Sequence, residues 1–340
     1  MSPLKRRVAL LLAIGGAGLL LLLFYPPAAR MALAFMDGAF GGRNYFNFFS
    51  TLSRASLIVG MALSVFLSFR AGLINIGGEG QLVLGGLAGA LVGIYLPGPG
   101  LLVGLLALGA AMLTGGVWAL LAGALERRLS IPLLVGSLLL NYPASFLASY
   151  LVSHPLRDVN SGIAQSHRIL RAAYLPRFTG TILDYGIVLI LLLTVVVILT
   201  DRASVFGYRA RLQGFSPGFA AASGFPMKRM YYQLLFGSGA IAGAVGFIAV
   251  FGISHRYVDG MLVTPLYAWT GVVAVLLAGI NPLWVPVAGV LFAALQTGAS
   301  GLERSAGVPR EMAAVVQGVI ILFLAASGRQ FLHDTGTGDR

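Results

Sequence analysis

The chain has 340 residues, of which 10% are charged and 58% hydrophobic. Soluble domains carry roughly 25% charged and about 45–50% apolar residues. A water-soluble globule and a disordered chain are therefore both excluded, and a polytopic membrane protein remains.

The net charge of +12 would by itself suit nucleic acid. These charges, however, sit singly or in pairs at the ends of apolar runs, as membrane flanks do, and no basic domain is present, so no nucleic-acid partner is expected. There is no cysteine, which removes thiolate nucleophiles, disulfides and Cys-ligated metals. The four histidines (His154, His167, His255, His333) have no metal-ligand spacing, so neither a metal nor a cofactor is expected.

A helix needs about 20 apolar residues to cross a bilayer. Ten runs qualify, at about 8–25, 51–70, 80–96, 101–125, 131–152, 183–200, 230–252, 266–280, 283–300 and 311–327. Alternating strand patterns are missing, so the expected fold class is all-α: a polytopic bundle of about ten transmembrane helices with the lipid bilayer as its surroundings. Lys5, Arg6 and Arg7 precede the first run and place the N-terminus in the cytoplasm. The first run is longer than the roughly 7–15 residues of a signal-peptide core, so it is read as a span. With ten crossings both termini are cytoplasmic. The loop at 201–229 is then inside, where Arg202, Arg209, Arg211, Lys228 and Arg229 satisfy the positive-inside rule. The other long loop, about 153–182, lies outside.

Three segments stand out. The first is A-G-L-I-N-I-G-G-E-G-Q at 71–81. Its glycines oppose a continuous helix, and irregular backbone at membrane depth survives only where protein or a water-filled cavity covers it. One reading is a broken or re-entrant helix lining a translocation path, with Asn75, Gly77, Glu79 and Gln81 at the break. The other is a tight cytoplasmic turn, with Glu79 favouring the positive end of the next helix. Both can hold together. The second is Asn141 in L-N-Y, a buried amide inside the fifth run, which either bonds a neighbouring helix or faces a polar path. The third is the inside stretch at 207–226. Ser216-Pro217 reads as an N-cap and first helical residue, Gly224 as a stop, and Pro226 as a block to continuation. A helix over about 217–223 is expected there, either docking into a partner's groove or resting on the headgroups.

No P-loop occurs; the only lysines are Lys5 and Lys228. No catalytic cluster can be assembled, so the chain is not read as an enzyme. A proton-coupled carrier generally needs several intramembrane acids or histidines. Only Glu79 qualifies, which favours an external source of energy.

Taken in order, these segments resemble the permease subunits of bacterial ABC importers in the branched-chain amino acid/ribose superfamily. Within it the chain is most similar to nucleoside permeases, often described as simple-sugar permeases. The resemblance runs from about 50 to 327. It is carried by G-L-I-N-I-G-G-E-G-Q (72–81), L-N-Y (140–142), H-P-L-R-D (154–158), Y-L-P-R (174–177), G-Y-R-A…G-F-S-P…G-F-P, L-L-A-G-I-N-P-L (276–283) and V-P-R-E-M…Q-G-V-I-I-L-F (308–323). The stretch S-H-R-Y-V-D-G-M-L-V at 254–263 fits the pattern only loosely, near Tyr257 and Trp269.

The resemblance implies one permease domain over 1–340. Residues 1–50 form an N-terminal span and extracytoplasmic connection, 51–327 the core and 328–340 a cytoplasmic tail. It implies location in the bacterial cytoplasmic membrane and three partners. These are a cytoplasmic ATP-binding subunit with two fused nucleotide-binding halves, a second permease subunit forming a heterodimer, and an extracytoplasmic solute-binding lipoprotein. The inside helix corresponds to the coupling helix that docks on the ATPase, which gives that role to Arg209, Gly214, Ser216, Pro217, Ala220, Ala221 and Gly224. A nucleoside is uncharged with a flat base and needs amides and aromatic faces; Asn75, Gln81, Asn141 and Trp269 are compatible with it. A sugar suits them about as well. A stand-alone channel or secondary transporter, and the same importer type carrying a sugar or amino acid, are the alternatives.

Overall fold

The computed structural model describes residues 26–306. The first and tenth apolar runs, at 8–25 and 311–327, lie outside them. Among the described residues the secondary structure is helical, with only isolated β-bridges such as Arg157↔Ser166 and Gln165↔Val258. The helices in order are α1 (Pro26–Phe40), α2 (Phe46–Phe69), α3 (Gly78–Tyr95), α4 (Gly100–Leu129), α5 (Leu133–Leu139), α6 (Asn141–Ser153), α7 (Gly186–Ala203), α8 (Val205–Phe215), α9 (Pro217–Ala222), α10 (Met227–Ile248), α11 (Tyr267–Leu277) and α12 (Trp284–Ala306).

Among the described residues six segments are long and apolar enough to cross a membrane: Phe46–Phe69, Gly100–Leu129, Leu133–Ser153, Gly186–Ala203, Met227–Ser254 and Trp284–Ser305. Two expected spans fall short. Glu79 and Gln81 give α3 a polar first turn, and α11 has only 11 residues, about 16 Å of rise. The fifth span is interrupted at Leu140, between α5 and α6. Pro143 explains the interruption: it has no N–H to return to the Leu139 carbonyl, and its ring crowds that turn. Helix α1 was not among the expected runs.

The chain divides into two units. In one, α1 meets the last turns of α12. A Cβ on Gly38 or on Gly301 would strike the other's backbone, and Thr51 Oγ1 bonds the Ala39 carbonyl and Thr297 Oγ1, each at 2.6 Å. In the other, residues 52–293, α3, α4 and α10 pack as a core of three helices. A Cβ on Gly85 of α3 would strike Gly243 of α10, one on Gly115 of α4 would strike Gly239 of α10, and one on Gly243 would strike Ala111 of α4. Small residues of this kind let membrane helices approach closely. Helix α10 is the most enclosed of the spans and continues through a π-turn at Ala249–Ser254.

Candidate functional site

Helix α2 stops at Phe69, and Gly72 takes a left-handed φ of 74°. The Leu73 N–H then bonds the Ser68 carbonyl at 3.0 Å, the six-to-one closure of a glycine-terminated helix. From there the chain does not run into solvent. Asn75 Nδ2 donates to Ser238 Oγ at 3.3 Å. Ser238 is eleven residues into α10, about 16 Å along its axis. Ser238 also faces α2, its carbonyl accepting Ser64 Oγ at 2.7 Å. The break therefore folds back to the depth of two helix interiors before α3 begins, and its backbone polar groups must be met by protein.

Side chains meet them. Asn75 Oδ1 accepts the Gly77 N–H at 3.0 Å and Gln81 Nε2 at 3.3 Å. Ser137 Oγ of α5 accepts the Ile76 N–H at 3.1 Å. Asn141, first residue of α6, takes the Gly80 N–H on Oδ1 at 2.8 Å and gives Nδ2 to the Ile76 carbonyl at 3.2 Å. Asn75, Gln81 and Asn141 are all buried. Within this cluster Gln81 Oε1 finds no hydrogen-bond donor among the described residues. Glu79 points elsewhere: it is half-buried and interacts with the Trp269 side chain of α11.

The structure thus assembles the expected pathway residues into two groups. Asn75, Gly77, Gln81 and Asn141 form one network, and Glu79 with Trp269 forms another beside it. Ser64, Ser137 and Ser238 complete the first group. Sequence reading passed them over because a serine in a small-residue span carries no mark of its own.

The 201–229 segment holds two helices rather than the single one expected. Helix α9, Pro217–Ala222, agrees with the reading of 217–223, with Pro217 in the first turn and Gly224 at φ 72° after it. Ser216 stands at the N-cap position, but its hydroxyl makes no capping bond. Ahead of it runs α8, capped by Ser204 Oγ accepting the Gly207 N–H at 3.0 Å. Arg209 of α8 lies over the Phe225 ring at 5.1 Å. Pro217, Ala221 and Gly224 are exposed, whereas Ala220 is fully buried and faces inward. The exposed apolar surface here is aromatic: Phe215 is 90% and Phe219 59% exposed.

The two elements touch. A Cβ on Gly214, at the end of α8, would strike the Arg70 carbonyl. Ala71 of the break joins Ala210, Met230 and Leu234 in one apolar cluster. Arg70 Nε bonds Asp201 Oδ1 of α7 at 2.9 Å, and Arg211 Nη1 of α8 lies 3.4 Å from Asp201 Oδ2. The turn opening the break is thereby pinned to the helix pair that carries the exposed aromatics.

At the far end of α10, the 154–185 loop packs on the chain after the π-turn. The Ser166 N–H bonds the Tyr257 carbonyl at 2.8 Å, and Tyr257 is buried. The Tyr174 ring stacks on His255 at 3.8 Å, and Arg177 Nη2 bonds the Gly252 carbonyl and His255 Nε2, both at 3.3 Å. Burial pushes the His255 imidazole below its ordinary range, helped by the Arg177 and Arg168 charges.

Residues 47–325 match the family model described as "Branched-chain amino acid transport system / permease component". The chain is 29% identical over 324 residues to the guanosine ABC transporter permease NupP of Bacillus subtilis (strain 168), covering 94% of this chain and 92% of that one. It is 29% identical over 327 residues to the glucose ABC transporter permease TsgB13 of Haloferax volcanii, covering 93% and 84%. It is 25% identical over 286 residues to the nucleoside ABC transporter permease NupB of Lactococcus lactis subsp. cremoris, covering 81% and 78%. The chain belongs to this permease family and is a multi-pass membrane protein.

Proposed function

We propose that this member of the permease family is the transmembrane subunit of a binding-protein-dependent ABC importer that moves a nucleoside across the cytoplasmic membrane. The match over 92% of the guanosine permease and 78% of the nucleoside permease supports the substrate class. The glucose permease relative keeps a sugar as the second reading.

In this reading both termini are cytoplasmic, about ten helices cross the membrane, and 1–340 is one permease domain. A cytoplasmic ATPase with two fused nucleotide-binding halves docks on α9, a second permease completes the pore, and a lipoprotein delivers the solute to the opposite face. ATP chemistry belongs to the partner, since the chain has no P-loop. ATP binding shifts the permease between states in which the docked surface and the pathway differ.

The observation that carries the mechanism is the contact of Gly214 with Arg70. Displacement of α8 and α9 by the ATPase is transmitted to the turn that opens the break. Phe215, Pro217, Phe219 and Ala221 form the docking face, while Ala220 holds α9 to the body. At the break, Gln81 Oε1 offers a buried acceptor, and leaving one unmatched costs about 1–3 kcal/mol. A solute hydroxyl or base N–H relieves that cost. Trp269, 39% exposed, supplies a face for stacking, with Glu79 beside it.

The test is solute-stimulated ATP hydrolysis by the complex of this chain with the ATPase and second permease encoded beside it, plus the cognate binding protein. Nucleosides, sugars and amino acids are compared. Stimulation by nucleosides alone supports the reading. Failure to associate with any ATPase overturns it in favour of a stand-alone transporter.

A further inference from the structure

We propose that the ends of α2, α7 and α11 build a binding site for a phosphate group, held by Arg70, Arg202 and Arg211. Three helices finish together here. Arg70 follows α2, Asp201 and Arg202 occupy the last turn of α7, and Gly279–Pro282 follow α11, while Arg211 enters from α8. They line a cavity of about 260 Å³, several times the ~30 Å³ a water molecule occupies in the liquid.

The charges in this lining do not balance. Three guanidiniums face one carboxylate, an excess of two formal positive charges, which the negative ends of the three helices, about half a charge each, reduce without cancelling. Asp201 is buried and paired with two of the three. Its Oδ1 takes Arg70 Nε at 2.9 Å, and its Oδ2 takes Arg70 Nη2 at 3.4 Å and lies 3.4 Å from Arg211 Nη1. The Ile280 carbonyl fixes Arg70 from the other side, accepting Nη1 at 3.2 Å. Asp201 thus orients two guanidiniums, and no ion pair joins it to the third among the described residues. Arg202 is exposed and has no ion pair among the described residues. A guanidinium has five N–H donors in a rigid fork, so each of the three keeps donors free. Two forks held by Asp201 and a third, exposed guanidinium beside them match the tetrahedral oxygens of a phosphate, which arginine binds in bidentate fashion.

The phosphate has two possible sources. One is the headgroup of an anionic phospholipid, because the cavity lies where membrane-crossing helices end and basic pockets between such helices take anionic headgroups. The other is a soluble phosphate or phosphate ester. The placement on the cytoplasmic face rests on the topology proposed above; the chemistry of the cavity does not.

Native mass spectrometry of the full-length chain in detergent tests the site, with phosphatidylglycerol as probe and phosphatidylcholine as control. Inorganic phosphate is titrated in parallel by thermal shift. Arg202→Gln and Arg202→Glu are the main variants, since an exposed side chain is removed without opening the core; Arg211→Gln is the second. The expected result is retained phosphatidylglycerol in the wild-type chain, about tenfold weaker in Arg202→Gln and lost in Arg202→Glu. Inorganic phosphate that stabilises the wild type, displaces the lipid and loses both effects in Arg202→Glu assigns a soluble source. Equal lipid retention by wild type, Arg202→Glu and Arg211→Gln, with no phosphate response, overturns the proposal. Solute-stimulated ATPase of the assembled complex, measured on Arg202→Gln and Arg202→Glu, which leave the Asp201 ion pairs intact, reads the importer function separately, so the two can fail independently.

Discussion

Asn141 accepts the Gly80 N–H at 2.8 Å across 61 residues of chain. Its amide nitrogen reaches the Ile76 carbonyl at the same time. One side chain at the start of α6 therefore ties down both the end of the break and the first turn of α3. The interruption at Pro143 that divides the fifth span is what places Asn141 at a helix start, facing the break.

Asn141→Ala removes both bonds and leaves two backbone groups short of partners. Each buried, unsatisfied group costs about 1–3 kcal/mol. Thermal unfolding of the purified variant should show a clear fall in Tm, with fast hydrogen exchange at 76–81. An unchanged Tm would show that the network contributes little.

Glu79→Gln keeps shape and removes charge. If the carboxylate beside Trp269 serves the pathway, the variant assembles with its partners but loses at least tenfold in solute-stimulated ATPase. Unaltered transport with intact assembly would reduce Glu79 to a helix-start residue.

Asp201→Asn strips the charge partner from Arg70 and Arg211. Breaking a buried pair costs about 3–5 kcal/mol. Arg70 and Arg211 are 29% and 31% exposed, so solvent screening lowers the expected loss to about 1–2 kcal/mol. Because this ion pair ties the break to α8, uptake should fall more than Tm does. A variant with normal uptake and normal Tm argues against the connection.

Phe219→Asp alters an exposed ring on α9, so folding should survive. Co-purification of the ATPase should drop at least tenfold if α9 is the docking element. Ala220→Asp, placed on the buried face of the same short helix, should instead destabilise the chain. Full retention of the ATPase by Phe219→Asp would move the docking surface elsewhere.

The loop outside α10 should respond to pH. His255 Nδ1 faces the Phe251 carbonyl at 3.0 Å and Nε2 faces Arg177 at 3.3 Å, so the neutral ring donates to one and accepts from the other. Burial and the Arg177 and Arg168 charges lower its folded pKa. The unfolded loop then binds the proton more readily than the folded one. The histidine's contribution is full above its ordinary value of about 6.5 and declines as pH falls through that value toward the folded pKa. Proteolysis of 154–185 should accelerate between pH 7.5 and 5.5 in wild type and lose this step in His255→Gln. Asp184, whose carboxyl burial pushes upward, is unchanged in that comparison. An identical pH response in the variant assigns the effect to another group.

The solvent of this protein and many of its helices are legible in its amino acids. Burial in lipid demands long apolar runs, so the cores of α2, α4, α7, α10 and α12 could be read from hydropathy alone. Helix α9 was legible for a local reason, since Pro217 and Gly224 act within their own turns. The glycines at 72–80 likewise announced a break in the chain, and Pro143 carried a readable signal for the second break that the length of the apolar run concealed.

What the break touches is set by helix packing. Asn75 meets Ser238 across 163 residues, and Arg70 meets Asp201 across 131. No periodicity encodes such pairs, because they depend on which helices become neighbours and at what depth. Packing also decided the faces of α9: Ala220 and Ala221 are adjacent and chemically identical, yet one is buried and the other exposed. A small-residue turn has no amphipathic pattern to orient it, so its packing against the rest of the chain makes that choice.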